Sequence, residues 1–201
     1  MTDMSESKST SIRRWTRYTT LRLVLSAMFL ALGYALPFAT GQIPEIGNML
    51  LPMHLPVFLC GFICGWKYGA AVGLILPVTR SLMFGRPMLY PDAMAMSVEL
   101  MTYGLVVGLI YLLLKKKNIF AIYVALLSAM IAGRLLWGCT RLIMLGIQHT
   151  GFSIKIFLTG AFINAVPGII LQLILIPAVM VTLQKTNLLP FRERKRSPHD
   201  T

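Results

Sequence analysis

Glu99, Arg80, Arg134 and Arg141 are charged residues standing deep in the otherwise apolar later stretches of this 201-residue chain. A charged side chain at the centre of a bilayer costs roughly 2.5–3.5 kcal/mol on insertion scales, so such groups face a cavity or one another. Spacing sorts them. Arg134, Trp137 and Arg141 fall at i, i+3 and i+7, one face of a helix. Asp92, Met96, Glu99 and Tyr103 fall at i, i+4, i+7 and i+11, again one face. Asn164 stands between Gly160 and Gly168, a polar amide flanked by residues that permit close approach. Two chemistries are open to this set. In one, Glu99 pairs with Arg134 or Arg141 and locks helices together. In the other, an arginine left over after pairing recognises an anionic group on a ligand, with Trp137, Tyr103 and Asn164 beside it. One intramembrane carboxylate does not neutralise three arginines, which tips the balance to the second. Arg80 and Arg141 stand near helix ends, where a long side chain can snorkel to the interface. Arg86, beside Pro87, adds a positive group in a loop. His54, between Pro52 and Pro56, reads as a satisfied polar residue rather than a ligand, in a helix kinked by proline.

The elements that must carry these charges are legible as six apolar stretches, at 20–39, 48–65, 68–84, 93–114, 119–147 and 156–183. Each is near the ~20 residues that cross a bilayer. The cations between them are strongly asymmetric. Lys8, Arg13, Arg14 and Arg17 precede the first span, Lys67 follows the second, Lys115, Lys116 and Lys117 follow the fourth, and Lys185, Arg192, Arg194, Lys195 and Arg196 follow the sixth. The opposite loops hold Arg86 and Lys155. Because lysine and arginine collect on the cytoplasmic side, both termini are placed there. The expected fold is all-α: a polytopic membrane protein with six transmembrane helices, N-in and C-in. Residues 1–18 read as a disordered cytoplasmic segment, 19–185 as the six-helix membrane domain and 186–201 as a basic cytoplasmic tail. The first span is too long for a cleaved signal peptide and lacks an Ala-x-Ala exit, so it reads as a retained helix.

Composition agrees. With 56% hydrophobic and 13% charged residues and a mean hydropathy of +0.71, the chain cannot expose its surface to water and stay monomeric. The net charge of +12 reflects cytoplasmic loops facing anionic headgroups rather than nucleic acid. Cys60, Cys64 and Cys139 fall inside spans and read as buried packing, without a disulfide framework or a metal ligand set. There is no Walker A loop, so active uptake would take its energy from another subunit or from an ion. A membrane-embedded enzyme is disfavoured by the lack of a Gly-x-Ser-x-Gly, His-Glu-x-x-His or close Asp pair, and no catalytic residue, metal or cofactor is expected. A stand-alone secondary transporter, proton-coupled through Glu99, stays open, although residues 20–84 are not duplicated in 93–183. The longer connections at 39–48, 85–92 and 148–155 lie on the external side, where a ligand site would be capped.

Ala27, Ala31 and Ala35 recur every four residues in the first span, a small face that lets a second helix approach closely in lipid. It serves either packing inside the bundle or docking of a separate membrane subunit. That Ala27-x-x-x-Ala31 pattern is one of several features that resemble the substrate-binding S components of energy-coupling factor (ECF) vitamin transporters. The others are the run from Met53 to Phe62, the turn Gly65-Trp66-Lys67-Tyr68-Gly69 with Gly73 beyond it, and Glu99 to Leu105 with Gly108. The resemblance covers residues 20–183 and is silent about the substrate. It implies a bacterial cell-membrane protein that binds a vitamin or precursor near the external face, under external loops. It further implies that Ala27, Ala31 and Ala35 dock on a transmembrane coupling (T) subunit driven by two ATPases, and that the S component topples to release its ligand inside. Carried onto this chain, the pocket candidates are Glu99, Tyr103, Arg134, Trp137, Arg141 and Asn164, with Arg80 and Arg86 at the mouth. The arginine surplus favours a carboxylate- or phosphate-bearing ligand, such as pantothenate or folate.

Overall fold

The computed structural model describes residues 2–39, 52–114, 117–147 and 166–186. Regular structure among them is entirely helical: α1 (Thr2–Ala39), α2 (His54–Cys64), α3 (Trp66–Phe84), α4 (Met94–Leu113), α5 (Ile119–Ile147) and α6 (Val166–Lys185). A single wide turn over Leu89–Ala93 leads into α4. Among the described residues, four segments are long and apolar enough to cross a membrane: Tyr18–Phe38, Leu89–Leu113, Ile119–Met144 and Val166–Lys185. Where the sequence reads as six spans, length and hydropathy single out these four. α2 is apolar but has only 11 residues, and α3 carries Lys67 and Arg80 within its 19. The protein is an all-α polytopic membrane protein. α1 is helical from Thr2, through a stretch whose composition reads as disordered; extending a nucleated helix costs far less than starting one.

The bundle is organised around α4, whose most extensive interfaces are with α3 and α5. Glycines make the α3 interface possible. A Cβ added at Gly104 would fall 2.2 Å from the carbonyl carbon and oxygen of Gly69, and one at Gly73 would fall 2.3 Å from the Leu100 oxygen. At Gly108 it would meet the Trp66 nitrogen at 2.5 Å, and at Gly69 the Cα of Gly61 on α2 at 2.7 Å. Backbone meets backbone along this seam, which is how helices gain packing energy in lipid, where no hydrophobic force drives them together. Gly65 makes the break between α2 and α3 with φ 98°, a conformation that suits glycine, and its carbonyl accepts from the Gly69 N–H at 3.0 Å. α3 ends at Gly85, φ 68°, whose N–H donates to the Ser81 oxygen at 2.9 Å.

Phe58, Leu76, Leu100, Ile122, Leu126, Ile176 and Met180 fill the centre. Leu23, Met28, Leu135, Ile143 and Ile174 point outward, as lipid-facing residues do. α1 lies on the outside, against α2 and α3. Its Gly33 sits over Leu76, Tyr34 shares a 2.5 Å hydrogen bond with Thr79, and Cys60 reaches Ser26 at 3.6 Å. Cys60 and Cys64 are buried, whereas Cys139 faces outward on α5, because it lies off the face that carries Arg134 and Trp137.

Gly104→Ala should lower stability by about 1–3 kcal/mol or more, since the clashing atoms are backbone and cannot rotate away. Leu113→Ala, at an exposed position, should change it by less than about 0.5 kcal/mol. Thermal melts in detergent, read as a ranking of the two variants, check this.

Candidate functional site

Three helices converge on Glu99, in the second turn of α4. The Tyr103 hydroxyl, one turn further along, donates to Glu99 Oε1 at 2.7 Å. Arg134 of α5 brings Nη1 to 3.0 Å from the same oxygen. His54, the first residue of α2, holds Nε2 3.8 Å away, within ion-pair range but beyond hydrogen-bond reach. Glu99 and Arg134 are both buried, so each would be costly alone, and each is compensated by the other. Tyr103 is fixed on both sides. It stacks on Phe58 at 4.7 Å, lies 5.4 Å from the His54 ring, and rests against α5 at Gly133, where a Cβ would come within 2.2 Å of its ring. Gly133, immediately before Arg134, is thus what lets the phenol reach the carboxylate.

The other two arginines take different surroundings. Arg141 places Nη1 2.6 Å from Asp92 Oδ1, with the pair half-exposed and the guanidinium 5.5 Å from the Trp137 ring centroid. Tyr90 donates to the Met144 oxygen at 3.0 Å, so the turn before α4 is tied to the end of α5 at two points. Arg80, near the C-terminal end of α3, is buried, and Nη1 reaches the Met53 sulfur at 3.5 Å. Among the described residues no carboxylate lies within ion-pair distance of it. It does not snorkel, because its side chain turns into the bundle towards the start of α2.

A family model described as the ECF transporter, substrate-specific component, matches residues 21–180. The chain belongs to that family. No curated protein and no solved structure matches it. As a substrate-specific component it is an integral, multi-pass protein of the cell membrane that serves transport by binding a substrate.

The structure of this S component brings Glu99, Tyr103 and Arg134 into direct contact and sets Trp137 and Arg141 beyond them along α5. Arg80 joins the same end of the bundle through Met53, while Arg86 is exposed in the connection after α3. Asn164 lies outside the described residues. His54 departs from the sequence reading: it is buried, yet neither ring nitrogen has a hydrogen-bond partner among the described residues. Its own sequence neighbourhood, two prolines and apolar residues, gives no sign of this, since its surroundings come from α4. Asp92, read as one member of a helix face, becomes the partner that removes Arg141 from the surplus.

Glu99→Ala should destabilise by about 3–5 kcal/mol by stranding the buried Arg134 charge, and the double variant Glu99→Gln/Arg134→Met should recover most of that loss. Arg141→Ala, breaking a half-exposed pair, should cost at most about 1 kcal/mol. Melting temperatures of the four proteins, wild type included, test the ranking.

Proposed function

We propose that this chain captures a vitamin or related micronutrient on the external side and delivers it inward with a T subunit and two ATPases. The single observation that carries the coupling half is the outer surface of α1. Ala27, Ala31 and Ala35 are all exposed, while Ser26, Gly33 and Pro37 of the same helix turn inward. A small-residue face left exposed among the described residues is available to a helix of another protein. Internal packing, the other use of such a stripe, does not account for this placement.

The capture half takes the polar end of the bundle: Glu99, Tyr103, Arg134, Trp137, Arg141 and Asn164 as pocket residues, with Arg80 and Arg86 towards the outside. Pairing takes up Arg134 and Arg141, so the lean to an anionic substrate, of the pantothenate or folate kind, now rests on Arg80. The role is binding and hand-over; ATP hydrolysis belongs to the partners. An ion-coupled carrier using Glu99 is the competing reading, and it sits poorly with a carboxylate already held by a guanidinium and a phenol.

Ala27→Trp or Ala31→Trp should abolish co-purification with a T subunit and leave substrate binding intact; loss of substrate binding instead would place those alanines in the fold. Uptake into liposomes should require the T subunit, the ATPases and ATP. Uptake by the chain alone on an ion gradient would overturn the proposal. Mass spectrometry of the denatured extract of protein purified without added ligand should show one small molecule per chain.

A further inference from the structure

Six buried side-chain nitrogens among the described residues lack a hydrogen-bond partner, and three of them belong to two residues at one end of α2: His54 Nδ1, His54 Nε2 and Arg80 Nε. The two residues are joined through Met53, the neighbour of His54, whose sulfur lies 3.5 Å from Arg80 Nη1. A thioether is a weak acceptor and carries no charge, so it does not compensate a guanidinium. Arg80 is 6% exposed and His54 is 1% exposed, so water does not satisfy them either. The groups that face them are already engaged with one another. Glu99 accepts from Tyr103 and pairs with Arg134, and its 3.8 Å separation from His54 leaves the imidazole without a bond. Burying unpaired polar and charged groups costs free energy that a bundle held only by packing would shed by substitution. Here His54 sits beside Glu99, which Tyr103 and Arg134 already engage, and Met53, its chain neighbour, is what Arg80 reaches.

We infer that Arg80 and His54 form a two-part subsite that reads the polar end of the substrate. Arg80 takes an oxyanion, a carboxylate or a phosphate, and His54 takes an adjacent neutral hydrogen-bonding group such as a hydroxyl or an amide. This rests on the capture reading above and narrows it: the substrate is an anion with a second, uncharged polar group close to its charged end. A guanidinium fork suits either oxyanion. A neutral imidazole offers one donor and one acceptor, which fits a hydroxyl or amide as partner.

Two matched pairs of probes test the subsite on the full chain in detergent: pantothenate against panthenol, its alcohol, and pyridoxal 5′-phosphate against pyridoxal. Equilibrium dialysis is run on wild type, Arg80→Gln, Arg80→Lys and His54→Phe. The wild type should bind the anionic member of one pair and discriminate against its neutral counterpart, and the pair that responds tells carboxylate from phosphate. Arg80→Gln should weaken that anion roughly ten- to hundred-fold and erase the discrimination, while Arg80→Lys retains part of it. His54→Phe should weaken it roughly two- to ten-fold and keep the discrimination. Ligand-free Arg80→Gln should melt no lower than wild type, because an uncompensated charge has been removed. A lower melt would mean that Arg80 is held by a group of this chain and would overturn the subsite. Equal binding of neutral and anionic members, binding of none of the four, or anion binding unchanged by Arg80→Gln would overturn it as well. The two readings fail separately. Arg80-dependent anion binding in a protein that transports without a T subunit would leave the subsite and remove the importer reading. ATP-dependent uptake of a neutral compound, indifferent to Arg80→Gln, would do the reverse.

Discussion

The contact between the backbones of Gly69 and Gly104 sets the position of everything polar in this protein. With no side chain between them, α3 and α4 lie as close as two helices can, and Gly73 against Leu100 continues the contact for another turn. α4 is thereby fixed in depth and rotation, and Glu99 stands a little over one turn above Gly104. A carboxylate at that point, inside the bundle and away from lipid, is tolerable only if cations come to it. α5 delivers Arg134, and Gly133 removes the side chain that would otherwise keep Tyr103 off the carboxylate. The seam of glycines and the cluster of charges are thus one design: close packing on one side of α4 frees its other side for electrostatics.

The pairing of α4 with α5 has a simple register. Asp92 and Glu99 are seven residues apart, and so are Arg134 and Arg141. In helices running in opposite directions, two turns down one match two turns up the other, so Glu99 meets Arg134 where Asp92 meets Arg141. The two pairs nonetheless do different work. The inner one is buried and expensive to break, while the outer one is half-exposed and, with Tyr90 on Met144, holds the turn before α4 against the end of α5. Arg141, which spacing alone would group with Arg134 as a ligand residue, is in this structure part of what ties the turn before α4 to the end of α5.

Most of the architecture was legible in the sequence, because hydropathy and charge asymmetry are properties of the chain alone. The helices fall where the apolar stretches run, and the faces drawn through Arg134 and Glu99 are real faces. Two things were not legible. One is how much of the second and third apolar stretches is helix: α2 has 11 residues and α3 carries Arg80 and Lys67, and a periodic apolar run does not fix such lengths. The states of His54 and Arg80 were misjudged for a different reason: whether a polar side chain is satisfied depends on which groups other helices bring to it. Spacing along one helix describes a face and is blind to what lies opposite. Cys139 belongs to the same class of error, apolar in type but turned to lipid by the rotation that α5 adopts to aim Arg134 inward.

The two ends of the reading, capture and coupling, are placed on different parts of the bundle, and the packing explains why they can be. α2 to α5 carry the glycine seam and the charges, the kind of close packing on which a binding site of the proposed sort would depend. α1 takes no part in the charge cluster. It packs against α2 and α3 through Gly33, Tyr34 and Ser26, with Leu25, Phe29 and Leu30 on the core, and leaves its alanine face outside with Leu23, Val24 and Met28. A partner gripping α1 would therefore move the bundle as a unit rather than distort the polar end. Under the proposed function, coupling of that kind would transmit orientation, not shape, and would leave the polar cluster free to be tuned to a ligand without disturbing the surface offered to a coupling subunit.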